Sequence, residues 1–366
     1  MSHALFSPIA LAGLQLTNRI VVSPMCQYSA DDGVASEWHL THLGMLANSG
    51  AAMLVVEMTD VERRGRISHG CLGLYSDACE AALARVVAHC RRFGSAKLAI
   101  QLAHAGRKGS AQRPWEGGAP LGPDADPWLT IAPSAIPFGA AWPRPREMSL
   151  ADIEVVCDAF AAAARRAVRI GFDAVELHGA HGYLVHSFLS PISNRRTDDY
   201  GGSPQARMRF PLEVVAAVRA AVPRQVPLGM RITGSDWSDQ GLTPADAVAF
   251  ASALKSAGLD YVDVSSGGIS TDARPDLRPG YNVGFAEEVR RQSAIATRTV
   301  GLIANAKQAD AIVAEGRADM VALARAMLDD PHWVWHAAEL LGAEVPRPLQ
   351  YQRAAPQVWP GAAFRR

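Results

Sequence analysis

An α/β fold is expected, a (β/α)8 TIM barrel with an N-terminal hairpin cap and a long excursion after the third strand. Three observations predict it. Eight apolar runs rich in branched residues fall at 19–25, 52–58, 97–103, 174–178, 228–233, 261–265, 300–304 and 320–324. Alanine-rich stretches with helical spacing alternate with them, at 80–93, 153–169, 210–221, 244–257, 285–296 and 306–315. Strands apolar on both faces that alternate with helices build a parallel sheet, and eight such units close it. Finally, no Gly-x-Gly-x-x-Gly follows an early strand and no Walker-type loop occurs. That removes the usual phosphate fingerprints of an open doubly wound sheet, the alternative architecture.

The 366 residues, 49% hydrophobic, suffice for one large core, and 1–366 is read as a single domain. Residues 5–18, interrupted by Pro8, Gly13 and Asn18, read as the hairpin cap. The stretch 109–148 is dense in proline and glycine, carries Trp115, Trp128 and Trp142, and reads as a capping excursion over the active face. A helix at 331–341 precedes a tail, 342–366, that Pro346, Pro348, Pro356 and Pro360 keep non-helical. Tyr351, Arg353 and Trp359 give that tail surface to pack, a neighbouring subunit being one place for it.

Charge narrows the partners. Thirty-six basic and 36 acidic residues cancel, so the electrostatic footprint of a nucleic-acid or membrane-surface binder is missing and a small molecule is the expected partner. The uncharged run 38–56 is broken by His39, His42, Asn48, Ser49 and Gly50 and is no membrane span. The first residues lack a basic region before an apolar core, and five cysteines form no Cys-x-x-Cys pair. A reduced, cytoplasmic protein is expected.

Chemistry should gather where the strands end, because their loops share one face. The fourth strand runs out into His178-Gly179-Ala180-His181-Gly182-Tyr183. Two imidazoles and a phenol follow one another there, with glycines that let the chain bend them toward one pocket. The other strand ends add Ser23-Pro24-Met25-Cys26-Gln27-Tyr28, Glu57-Met58, Gln101 with His104, Arg231 and Arg325.

Few carboxylates are in that set. His178 and His181 with only His104 and Glu57 nearby make a poor metal site, and no metal is expected. A Schiff-base enzyme needs a buried lysine; of four lysines only Lys108 lies near the active face, and it reads as a solvated or ligand-contacting cation. Flavin mononucleotide fits better: the amide of Gln101 and the cation of Arg231 for its polar edge, Cys26 near N5, and Asn305-Ala306 with Ala324-Arg325 at the phosphate. Arg325 has a structural alternative, a salt bridge closing the barrel. A metal- or lysine-dependent barrel lyase or hydrolase, and a non-enzymatic binding module, stay open on these residues alone.

The chain resembles the old yellow enzymes, in particular the thermophilic-like branch of xenobiotic reductases and NADPH dehydrogenases. The resemblance runs from about Leu5 to Arg353. It is carried by Asn18-Arg19-Ile20, Ser23-Pro24-Met25-Cys26-Gln27-Tyr28, Gln101-Leu102-Ala103-His104-Ala105-Gly106-Arg107-Lys108, His178-Gly179-Ala180-His181-Gly182-Tyr183-Leu184, Phe188-Leu189-Ser190-Pro191 and Tyr200-Gly201-Gly202-Ser203.

The resemblance implies an FMN-dependent ene-reductase that takes hydride from NADPH or NADH and reduces the C=C bond of α,β-unsaturated carbonyl or nitro compounds. Ser23, Pro24, Met25, Cys26, Met58, Gln101, Arg231, Ala324 and Arg325 would contact non-covalent FMN, with Cys26 tuning it. Tyr28, His178, His181 and Tyr183 would face the substrate. His178 and His181 would bind its oxygen while hydride leaves flavin N5, and Tyr183 would deliver the proton. Arg353 would reach a neighbouring active site in a homodimer or a tetramer built as a dimer of dimers. Met58, Ala306 and Ala324 depart from the smaller residues common in that branch.

Overall fold

The computed structural model describes residues 3–364; Met1 and Ser2, part of the stretch read for a leader, and the last two residues of the tail lie outside them. A short antiparallel hairpin, β1 (Ile9–Leu11) and β2 (Leu14–Leu16), opens the fold. Its Leu11 and Leu16 pack against Met53, Ala174, Tyr261 and Met320, residues that begin barrel strands. The hairpin therefore plugs the N-terminal end of the barrel. Each leucine so buried is worth roughly 1.5–3 kcal/mol.

The barrel strands are β3 (Ile20–Val22), β4 (Met53–Asp60) and β5 (Lys97–Ala103). After a small parallel pair outside the barrel, β6 (Ile131–Ala132) and β7 (Arg146–Glu147), come β8 (Ala174–Gly179), β9 (Leu228–Thr233), β10 (Tyr261–Ser265), β11 (Ala296–Thr299) and β12 (Met320–Leu323). They close in the order β3-β4-β5-β8-β9-β10-β11-β12, every pairing parallel. The expected (β/α)8 barrel is the observed one.

One strand is misplaced by sequence reasoning. The seventh barrel strand is β11, Ala296–Thr299, whereas the apolar run 300–304 expected to form it is a loop that contains Gly301 at φ 122°. The reason is electrostatic. β11 carries Arg298, fully buried beside Glu176 and Asp263, so it does not read as a hydrophobic run. Asp263 is in register with both Arg231 and Arg298, and these compensating charges make an ionic layer tolerable inside the barrel.

The helices are α1 (Glu37–Ala47), α2 (Asp77–Phe93), α3 (Leu150–Arg169), α4 (Leu184–Leu189), α5 (Pro204–Ala221), α6 (Pro244–Ser256), α7 (Val283–Ser293), α8 (Ala306–Ala314), α9 (Arg325–Asp329) and α10 (Trp333–Leu341). Their starts are legible: Ser76, Ser149, Ser203 and Thr243 each accept a backbone N–H of the following turn. Helix α1 is not anticipated, because its inner face carries buried His39 and His42 where an apolar period is sought.

The excursion after β5 lies over the C-terminal face. Trp115 meets the Tyr28 ring edge-on at 5.8 Å, and Trp128 Nε1 donates to the Arg64 carbonyl at 3.0 Å. Buried Arg107 donates to the carbonyls of Ile136, Pro137 and Ile269, stitching the excursion to the loop after β10. The tail turns back on α10, with the Arg347 guanidinium 5.0 Å from the Trp335 ring centre. No helix among the described residues is long and apolar enough to cross a membrane.

Candidate active site

Strand β8 delivers His178 to the mouth of the barrel and ends at Gly179, where a Cβ would meet the Met230 sulfur at 2.7 Å. Only glycine lets the strands approach there. His181 and Gly182 then take φ 57° and 77°. A left-handed histidine is strained, so the surroundings must hold it. They do so from two sides. Lys108 Nζ donates to the carbonyls of His181 and Gly268 at 2.8 and 3.1 Å. The Gly182 N–H donates to His186 Nδ1 at 2.7 Å, and His186 Nε2 lies 3.0 Å from Asp236 Oδ1.

The imidazoles are arranged by these bonds. Ala180 N–H donates to His178 Nδ1 at 3.2 Å, so the hydrogen of a neutral His178 is on Nε2. That atom is 3.3 Å from His181 Nδ1, and His181 Nε2 is 2.7 Å from Ser265 Oγ. Burial pushes both imidazoles well below the usual histidine range, and for both the positive charges of Arg231 and Lys108 add to it. Both are neutral near pH 7.

Tyr183 caps the start of α4, with its ring 4.8 Å from that of His178 and nearly perpendicular to it. Burial of the hydroxyl, then Cys26, Tyr28, Cys71 and Asp60, raises its pKa well above the usual phenol range. It therefore holds its proton. Lys108 Nζ stands 4.9 Å from the centre of its ring. The expectation that Lys108 is a solvated or ligand-contacting cation is corrected: its ammonium is engaged by two backbone carbonyls, and burial, then Arg107, lowers it to about 8.

Beside the imidazoles a cavity of about 440 Å³ is lined by Ser23, Pro24, His181, Arg231, Ser265, Ala324, Arg325 and residues 300–304. Arg231 Nε donates to Asp263 at 2.6 Å and its NH2 group to Ser23 Oγ at 2.7 Å. Gln101, buried on β5, gives one amide N–H to Glu176 at 2.8 Å. Met58 is buried with Cys71 and Ala103 in a cluster on which Cys26, Tyr28, Trp142 and Tyr183 pack. Burial first, then Glu57, Cys71 and Asp60, pushes the Cys26 thiol well up, so it stays a neutral thiol.

Other expected residues lie elsewhere. Asn305 spends its side-chain oxygen capping α8, on the N–H groups of Lys307 and Gln308, and Ala306 is buried in the core. The wall near Arg325 is instead the 300–304 loop. Met25 packs on the main core, with its carbonyl taken by Gln27 Nε2. Arg353 is exposed in a short 3-10 turn of the tail. Among the described residues no ion pair joins Arg325, which leaves its guanidinium for a ligand. Sequence reasoning missed Ser265, His186 and Asp236. Ser265 ends a barrel strand and was within reach of strand-end logic, whereas His186 and Asp236 meet only through the folded chain.

The site fits flavin mononucleotide. A cavity of this volume is typical of small-ligand sites. Arg325 suits a phosphate and Arg231 an electron-rich ring edge, and both line the cavity. The hydroxyls of Thr233 and Thr299, both ending barrel strands, are buried without a protein partner. Among the described residues no group of three or more His, Cys, Asp or Glu side chains is placed to hold a metal ion.

The chain is similar to known proteins over nearly its whole length. The model of the NADH:flavin oxidoreductase / NADH oxidase family matches residues 4–344. The NADPH dehydrogenase of Geobacillus thermodenitrificans (strain NG80-2) is 45% identical over 355 residues, 96% of this chain and 99% of that protein. The NADPH dehydrogenase of Bacillus subtilis (strain 168) is 41% identical over the same coverage. Solved morphinone reductase superposes with a TM-score of 0.78 at 28% identity, over 94% of this chain and 91% of that one.

Proposed function

This chain belongs to the NADH:flavin oxidoreductase / NADH oxidase family, and from that premise we propose that it reduces the C=C bond of α,β-unsaturated carbonyl or nitro compounds. As an enzyme of the old yellow enzyme family it uses FMN with NADPH or NADH. Ser23, Pro24, Cys26, Met58, Gln101, Arg231, Ala324 and Arg325 are the residues assigned to holding FMN, which when bound supplies hydride chemistry.

The observation that carries the reading is the imidazole pair: His178 Nε2 and His181 Nδ1, 3.3 Å apart at the barrel mouth with Tyr183 against them. Two N–H donors on one carbonyl or nitro oxygen draw charge toward it and leave the β-carbon electrophilic. Because both imidazoles are neutral, they polarise the oxygen without giving it a proton. Tyr183, whose proton is tightly held, gives it up only to a carbon that has become basic, the substrate α-carbon. Tyr28, half-buried under Trp115, walls the substrate side.

We further assign Arg353 to a neighbouring subunit's site in a homodimer or a dimer-of-dimers tetramer, supported by an exposed tail in which Leu349 and Phe364 are 82% and 85% accessible. All five cysteines are free thiols, which supports a cytoplasmic location. Anaerobic visible spectra test the function. Bleaching of the yellow band by NADPH and its return on adding cyclohexenone are expected; a band that stays bleached with the enone would rule the alkene reading out.

A further inference from the structure

We propose that Ser265 is a positioning residue that lets His181 change tautomer without losing its partner, so that a substrate oxygen can draw two N–H groups rather than none. This rests on the reading of the imidazole pair as oxygen binders. Ala180 N–H occupies His178 Nδ1 at 3.2 Å and leaves the His178 hydrogen on Nε2. His181 has no such backbone bond on either ring nitrogen among the described residues; its nitrogens face His178 at 3.3 Å and Ser265 Oγ at 2.7 Å.

Two neutral arrangements are then open. With hydrogen on His181 Nε2, that nitrogen donates to Ser265 and Nδ1 accepts from His178. The pair is closed on itself, and no imidazole hydrogen is left for a ligand. With hydrogen on Nδ1, Ser265 turns its hydroxyl and donates to Nε2. Two N–H groups then stand side by side and cannot satisfy each other, so they call for an acceptor between them.

A hydroxyl suits this position because it donates and accepts equally well. Ser265 is also well fixed: it ends β10, its carbonyl accepts the Gly234 N–H at 2.7 Å, and its side chain borders the cavity. Substrate oxygen therefore selects the second arrangement at little cost, since the Ser265 bond is kept in both. The consequence is specificity for ligands that present an acceptor, such as a carbonyl, nitro or phenolate oxygen, over ligands that present an N–H.

The test uses the FMN-loaded protein labelled with 15N at histidine, titrated with 4-hydroxybenzaldehyde, in wild type, Ser265→Ala and Ser265→Thr. Nitrogen shifts report the His181 tautomer, and calorimetry reports affinity without turnover. Saturated wild type should show hydrogen on His181 Nδ1. Ser265→Ala should weaken binding by about twofold to tenfold, the worth of one hydrogen bond, with a mixed tautomer, and Ser265→Thr should restore both. Wild type that keeps Nε2 protonated with the phenol bound, or an alanine variant of unchanged affinity and tautomer, would overturn the proposal. Unchanged phenol affinity in His178→Ala would instead sink the reading of the pair on which it depends.

Discussion

His186 Nδ1 accepts the backbone N–H of Gly182 at 2.7 Å while its Nε2 faces Asp236 Oδ1 at 3.0 Å, both side chains fully buried. The turn between His181 and Tyr183 is thereby tied to the loop after β9, where Asp236 also accepts from Ser190 Oγ and Leu242 N–H. His186 does not itself line the cavity. It acts by holding a backbone whose preferred geometry differs from the one observed.

His186→Ala should therefore cost both stability and site order. Removing the imidazole leaves the Gly182 N–H and one Asp236 oxygen buried without a partner, a loss of about 1–3 kcal/mol, while Ser190 and Leu242 still hold the other oxygen. A clearly lowered melting temperature is expected, together with weaker phenol binding in the protein that remains folded. A melting temperature equal to that of wild type would show that the pair carries no such load.

Tyr183→Phe should separate the two halves of the reaction. Reduction of the yellow band by NADPH should proceed nearly as in wild type, while reoxidation by cyclohexenone slows about 100-fold or more, the scale of a lost general acid. Stopped-flow absorbance measures both phases. Equal enone rates in the variant would remove Tyr183 from the proton-donor role.

Lys108 gives a pH dependence. Burial, then Arg107, lowers it to about 8, against an ordinary lysine value of 10.5. Above about 8 the folded protein sheds this proton before the unfolded chain does, so the burial penalty is relieved and Lys108 adds stability from about 8 up to 10.5. Activity should move the other way. The cation 4.9 Å from the Tyr183 ring centre favours the phenolate left by proton delivery, so the enone step should fall above about pH 8. In Lys108→Met that limb of the pH profile should disappear.

Arg325→Ala tests the phosphate end. A charge-assisted bond to a phosphate is worth about 1.5–3 kcal/mol, so FMN should dissociate about 10- to 100-fold more readily, by fluorescence of released flavin. Retention of FMN at wild-type affinity would place the phosphate elsewhere on the cavity wall.

The barrel was readable because its signal is local and repeated. Branched apolar runs at β5, β9 and β10 coincide with their observed bounds, since strands covered on both faces need apolar side chains nearly throughout. Where a strand carries charge instead, the signal fails. Arg298 hides β11, and the neighbouring apolar run 300–304 reads as a strand in its place.

The sequence by itself determined the closed parallel barrel, the face on which chemistry gathers, and the presence there of His178, His181, Tyr183, Cys26, Gln101 and Arg231. These follow from short-range periodicity and from the order of residues along single strands. Only the tertiary structure decided how those groups are held and which hydrogen each presents. Ser265 reaches His181 across 84 positions, Asp236 meets His186 across another loop, and Lys108 clasps the His181 carbonyl across 73. Hydrogen bonds and buried charges depend on distances in space of a few ångströms, and strand pairing sets those distances between residues that a linear reading keeps far apart.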